Sequence, residues 1–188
     1  MSSAISPYRY CALLPQPDSI RLLRLLPAGD ENAPIRCQLF SYSLQESSKR
    51  IHPYDALSYV WGKSGETRPI FIGKHALLVT LNLHVALSHL RYCFVERIVW
   101  VDAVCINQRD REEKEQQVRL MAKIYGQANR VVVWLGEMAD NSNQALEEIR
   151  VAGGNMSTNS LSKEMMQQAV HALLKRPWFR RIWVRTDP

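Results

Sequence analysis

No stretch of this 188-residue chain approaches the roughly 18 consecutive apolar residues of a membrane span. Its eight glycines and nine prolines are too few for a collagen-like or low-complexity composition. The first residues, MSSAISPYRYCALLPQP, lack a basic segment followed by a long apolar run and a small-residue cleavage site, so they do not read as a secretory signal and a cytoplasmic address is expected. Cysteine is sparse and scattered. Cys11, Cys37, Cys93 and Cys105 include no C-x-x-C, and Cys93 and Cys105 stand in apolar or strand-like surroundings, which fits reduced thiols better than a disulfide framework. The five histidines, His52, His75, His84, His89 and His171, form no close cluster; His84 and His89 are five apart, a poor spacing for one helix face, so no metal site is expected. A phosphate-cradling G-x-G-x-x-G, a G-x-S-x-G elbow and an H-E-x-x-H pair are all missing.

What is present is an ordinary globular composition, 46% hydrophobic and 22% charged. A domain of this size buries about 70% of the surface its unfolded chain exposes, so it needs neither disulfide nor metal to hold a core. The formal charge of +6 is concentrated at the end, where Lys175, Arg176, Arg180, Arg181 and Arg185 crowd together. Residues 109–119 mix both signs, as a solvated helix face does. A basic strip is the usual footprint of nucleic-acid binding, but no zinc finger, RRM signature or base-reading helix accompanies it, so neither nucleic acid nor membrane is expected as a partner.

Along the chain, SIRLLRLLP and PIRCQLFSYSL flank a turn containing Gly29, Asp30 and Asn32, and Ile35, Cys37 and Leu39 alternate with Arg36 and Gln38 as in a half-buried strand. Residues 1–53 therefore read as an N-terminal β extension packed on a core formed by 54–188, the whole being one compact unit. YDALSYVWG is a buried strand closed by Gly62. A hairpin, PIFIGKHALLVT, leads to a helix with Leu83, Ala86, Leu87 and Leu90 on one face and Thr80 or Asn82 as cap. RIVWVDA is a second buried strand. In the next helix Asp110 and Glu113 form a capping pair, and Val118, Met121, Ala122 and Tyr125 form the apolar stripe. RVVVWLG is a third buried strand, followed by a helix around residues 143–152, a linker over 153–162, and a last helix stopping before Pro177.

Strands alternating with helices from 54 to 136 predict an α/β, three-layer, flavodoxin-like core with a central, mainly parallel sheet and N-terminal antiparallel hairpin elements. Ligands of such sheets meet the carboxyl ends of the strands. Those ends are Trp61, Asp102 and Gly136, expected side by side around a shared hollow.

YDALSYVWG, NLHVALSHLR, RIVWVDAVCINQ, EKEQQVRLMAKIYGQANRVVVWLGE and RPWFRRIWV, in order over residues 54–184, resemble the heterokaryon incompatibility (HET) domain of filamentous fungi. The resemblance implies a module for non-self recognition and programmed cell death on fusion of incompatible strains, working by homotypic self-association or with another incompatibility protein. It also implies a distant likeness to TIR domains, some of which hydrolyse NAD. Members of the family tend to follow the last tryptophan with a short step to Gln-Glu, whereas this chain ends Trp183-Val184-Arg185-Thr186-Asp187-Pro188, leaving Asp187 as the nearest acid.

Three readings follow: a signalling scaffold, a TIR-like NAD glycohydrolase with NAD as substrate and no bound cofactor, and a catalytically decayed copy that only binds a partner. Cleaving the nicotinamide glycosidic bond calls for a carboxylate near the oxocarbenium-like centre, an aromatic slot and hydrogen-bonding groups for the sugar. Asp102, Glu113 and Asp187 are the candidate catalytic acids, and Ser58, Tyr59, Trp61, Gly62, Asn107 and Gln108 the candidate substrate contacts. Each has a structural alternative: Asp102 as a loop-fixing cap, Glu113 as the partner of Asp110, the tryptophans as packing, Asn107 and Gln108 as local hydrogen-bonders.

Overall fold

The computed structural model describes residues 6–45, 54–63, 65–138, 146–147, 150 and 163–180. It divides into two compact units, residues 1–134 and 135–188. In the first, seven strands form one sheet: β1 (Ser19–Leu25), β2 (Arg36–Ser43), β3 (Asp55–Tyr59), β4 (Thr67–Ile72), β5 (His75–Thr80), β6 (Arg97–Trp100) and β7 (Arg130–Trp134). Their order is β5-β4-β2-β1-β6-β3-β7. Helices α1 (Leu81–Leu90), α2 (Asp102–Cys105) and α3 (Arg111–Gln127) complete the unit.

The sheet is mixed, which corrects the expectation of a mainly parallel, flavodoxin-like one. β6, β3 and β7 run parallel, and β4 runs parallel to β2, but β1 is antiparallel to both β2 and β6, and β5 is antiparallel to β4; the two longest ladders, β1–β2 and β4–β5, are antiparallel. The physical cause lies in the turns. Asp30 accepts from the Asn32 amide and closes the β1–β2 connection, and Gly73, at φ +60°, closes β4–β5, so each pair returns antiparallel. The expected N-terminal hairpin is present as β1 and β2, in the interior of the sheet. Its alternation holds too: Ile35 and Cys37 are buried while Arg36 and Gln38 are exposed.

Helix α3 lies against the strands through polar as well as apolar contacts. Its buried residues are Glu113, Gln117 and Ile124, with Leu120, Met121 and Tyr125 partly buried against the core, while Val118 and Ala122 are exposed. The expected stripe is therefore turned toward polar positions, because the sheet offers them partners. Gln117 Nε2 donates to the Ser19 carbonyl (2.8 Å), Tyr125 Oη to the Leu57 carbonyl (3.1 Å), and Tyr54 Oη to the Ile124 carbonyl (2.7 Å). β7 is also not the buried strand expected: Val131 and Val133 are exposed, and among the described residues β7 pairs within the sheet with β3 alone. Trp100, Tyr54 and Tyr59 are the largest fully buried side chains. The four cysteines are free thiols; Cys37 and Cys105 are buried, but Cys93, expected in apolar surroundings, is exposed with Cys11.

In the second unit α4 (Lys163–Leu174) stops before Pro177 and is followed by a 3-10 turn, Pro177–Arg180. Leu173 is buried against Leu135, Val170 and Phe179, and Arg176 donates to the Leu135 carbonyl (3.0 Å). Of the helix expected over 143–152, residues 146, 147 and 150 are described and are helical. The linker at 153–162, Trp183 and Asp187 lie outside the described residues. Among the described residues no helix is long and apolar enough to cross a membrane.

At the amino end of the parallel trio, the buried carboxylate of Asp55 accepts from Arg97 (Nε 3.0 Å, Nη2 2.7 Å) and from Arg130 Nε (3.1 Å). Burial alone would push its pKa up, but the two guanidiniums outweigh that and hold it below the ordinary value. A depressed folded pKa stabilises the fold fully above the unfolded value of about 3.9, and that stability is lost as pH falls through the folded value. Asp55→Asn is therefore expected to lower stability at pH 7 by about 1–3 kcal/mol and to flatten the acid limb below about pH 4. Urea midpoints taken from pH 7 to pH 2 check this; parallel curves for the two proteins would contradict it.

Candidate functional site

The parallel strands β6, β3 and β7 end together, and two tip-to-tip links join them. Trp61 Nε1, one turn past β3, donates to Asp102 Oδ2 (2.9 Å) at the tip of β6. Asp102 Oδ1 accepts its neighbour's amide, Ala103 N (2.8 Å), as the first residue of α2, and Gln108 Nε2 donates to the Asp102 carbonyl (2.8 Å). Asp102 is thus both a loop-fixing residue and a half-buried carboxylate at the strand edge, and Trp61, 41% exposed, lies beside it rather than in the core.

The second link uses a residue that sequence reasoning offered only as a helix cap. Thr80 takes the cap of α1 by accepting from Leu83 N, which releases Asn82. Asn82 Nδ2 donates to the Val60 carbonyl (2.5 Å) and its Oδ1 accepts from Trp134 Nε1 (2.9 Å), so one amide bridges the tips of β3 and β7. The His89 ring lies 5.1 Å from that of Trp134. Two capping residues for one helix end were a surplus, and that surplus was the available signal. Gly62 turns the chain here at φ +81°, and a Cβ on it would stand 3.2 Å from Asn82 Cβ.

Glu113 faces inward. Asp110 caps α3 as expected, accepting from Glu113 N (3.0 Å), but the Glu113 side chain does not return to the cap. Its oxygens take both prongs of Arg21 (2.5 and 3.0 Å) and the Asn107 amide (2.7 Å). Arg21, on β1, also donates to the Cys11 carbonyl (2.6 Å) and the Cys105 carbonyl (3.3 Å), and its guanidinium lies over the Tyr10 ring at 5.1 Å. The two side chains are only 5% and 10% exposed. Arg21 carried no motif, and an arginine within a largely apolar run is not legible as the partner of an acid 92 residues on.

The remaining candidates divide. Asn107 and Gln108 stand on the loop between α2 and α3 and line a cavity of about 610 Å³. Asn107 Oδ1 accepts from Arg109 N (3.3 Å), the local bonding its alternative reading foresaw. Ser58 and Tyr59 are buried within β3, 6% and 1% exposed, beneath the edge rather than on it. Asp187 lies outside the described residues. Burial pushes the Cys37 and Cys105 thiols up to about 12, so neither is a thiolate nucleophile near neutral pH. Among the described residues no group of three or more His, Cys, Asp or Glu is placed to hold a metal ion.

Two outcomes are expected. Glu113→Ala leaves the Arg21 guanidinium buried without its carboxylate and lowers stability by about 3–5 kcal/mol, whereas the paired Arg21→Met/Glu113→Leu change recovers most of that loss. Urea unfolding checks both, and a single-variant loss under about 1 kcal/mol would contradict the pair's role. Gly62→Ala forces a side chain into a left-handed backbone against Asn82 and is expected to cost about 1–2 kcal/mol, read as a fall in the thermal midpoint. An unchanged midpoint would show that the turn relaxes freely.

Comparison with known proteins gives the chain its relatives. Residues 54–186 match the profile of the heterokaryon incompatibility protein (HET) family. The chain is 31% identical to the heterokaryon incompatibility protein 6, OR allele, of Neurospora crassa, in an alignment covering 94% of this chain and 32% of that protein. The chain thus spans about a third of the length of this curated relative. No solved structure matches it. A profile match over most of the chain, together with that relative, shows that the protein belongs to the heterokaryon incompatibility family.

Proposed function

We propose that the chain is a signalling module of fungal incompatibility, triggering non-self recognition and programmed cell death through self-association in the cytoplasm. The family match over residues 54–186 carries this reading. The free thiols suit a reducing compartment. We further propose that the module is distantly TIR-like, a reading that draws on topology: counted from residue 54, the first strand of the parallel trio is central, the second lies on one side and the third on the other. That is the order in which flavodoxin-like sheets begin.

One observation favours a second reading, hydrolysis of NAD to nicotinamide and ADP-ribose. Asp102 presents a carboxylate at the carboxyl edge of the parallel strands, steadied by the exposed indole of Trp61. A fixed carboxylate there suits stabilisation of an oxocarbenium-like centre or the holding of ribose hydroxyls.

Expression in a fungal host, with the oligomeric state followed by light scattering on the purified chain, tests the first reading. Toxicity that rises together with assembly is expected; toxicity from a protein that stays monomeric at every concentration would contradict it. Incubation with NAD tests the second. Nicotinamide release that falls at least about 100-fold in Asp102→Asn is expected, and no release from concentrated or clustered protein removes the enzyme reading.

A further inference from the structure

The N-terminal arm closes one side of the cavity that Asn107 and Gln108 line, and neither Asp102 nor Trp61 is part of that lining. Tyr8 N donates to the Ala76 carbonyl (2.8 Å) and Ala76 N to the Ser6 carbonyl (3.0 Å), so residues 6–8 run beside β5. At the other end Tyr10 Oη donates to the Val104 carbonyl (2.9 Å) and fastens the arm to α2. Between arm, β5 and the loop after α2 lies the space of about 610 Å³, within the range of small-ligand sites.

Its lining is chemically one-sided. Arg9 comes from the arm and Arg109 from the loop; both are exposed, and neither guanidinium has a hydrogen bond or ion pair among the described residues. Among the described residues no aspartate or glutamate lines the space. Asn107 keeps its Nδ2 as a further donor, since its Oδ1 is engaged by Arg109 N. Two cations and an amide donor with no acid among them suit an acceptor-rich anion, and guanidiniums suit phosphate best. Phosphate alone would leave most of the volume empty. The rest is walled by residues 76–78 of β5 and by Tyr8 and Tyr10, whose rings meet edge to face at 5.1 Å. An apolar wall beside an aromatic corner fits a planar ring.

We propose that this cavity binds a nucleotide, its phosphates on Arg9 and Arg109 and its base in the corner formed by Tyr8 and Tyr10. Binding requires no cleavage of the ligand, so the proposal is independent of the NAD-hydrolysis reading and of self-association.

Isothermal titration calorimetry with ADP in low-salt, metal-free buffer tests it, with adenosine and inorganic phosphate as part-ligands. ADP is expected to bind with Kd below about 1 mM, and each part-ligand at least about tenfold more weakly. Arg9→Ala and Arg109→Ala are each expected to weaken ADP about tenfold or more, while Arg119→Ala, an exposed arginine on α3, leaves it unchanged. Melting curves establish that the variants fold. No heat with ADP at several times that concentration, or undiminished binding by the Arg9→Ala/Arg109→Ala double variant, overturns the proposal. Phosphate binding as tightly as ADP overturns the assignment of the ring. ADP binding without nicotinamide release from NAD would sustain this inference while removing the enzyme reading.

Discussion

A guanidinium at Arg21, in the middle of a strand whose neighbours are buried, is tolerable only if every strong donor it carries finds an acceptor. The fold meets that demand at both terminal nitrogens, with Glu113 and with the carbonyls of Cys11 and Cys105. These partners come from three different places: the start of α3, the N-terminal arm and the end of α2. Taking one cation out of water costs several kcal/mol, so the requirement to satisfy it draws all three segments to β1 and fixes them there. The same carboxylate holds the Asn107 amide, so the loop bordering both the strand edge and the cavity is shaped by the core beneath it.

The strand tips depend on that arrangement from one side and on Asn82 from the other. The chain crosses from one side of β3 to the other between β6 and β7, the kind of switch point at which ligands of open α/β sheets meet the strand ends. Here Asn82 spans the gap between β3 and β7, while the indole of Trp61 joins β3 to β6 at Asp102. The edge is thereby preorganised around one carboxylate, one exposed indole and a loop of amides. Such an edge suits either docking of a second copy or the holding of a polar ligand, the two activities proposed for this member of the HET family.

Much of this was legible in the amino-acid order, and the exceptions share a cause. The strands were read from local patterning: the alternation around Cys37, the closed apolar run ending at Gly62 and the turn residues at 29–32 each found its element. Asp110 and Thr80 cap their helices because capping is decided within a few residues. What local pattern cannot carry is partnership at long range. Antiparallel entry of β1 beside β6, the exposure of Val131 and Val133, and the rotation of the α3 face toward Glu113 and Gln117 all follow from which strand sits next to which. Glu113 read as half of a capping pair because Asp110 was three residues away; the arginine that takes it is on β1, the central strand of the seven, reached only through tertiary structure. The adjacency of Trp61 and Asp102 was foreseen as two tips of one edge, but the hydrogen bond between them was not.

The buried Arg21–Glu113 pair organises the loop carrying Asn107. Amide hydrogen exchange in the Arg21→Met/Glu113→Leu protein, which keeps an apolar core but removes the acceptor, addresses it directly. The Asn107 amide is expected to exchange at least about tenfold faster than in the unaltered chain, while amides of the β4–β5 ladder keep their protection. An Asn107 amide as slow as before would contradict it, because some other acceptor would then be holding the loop.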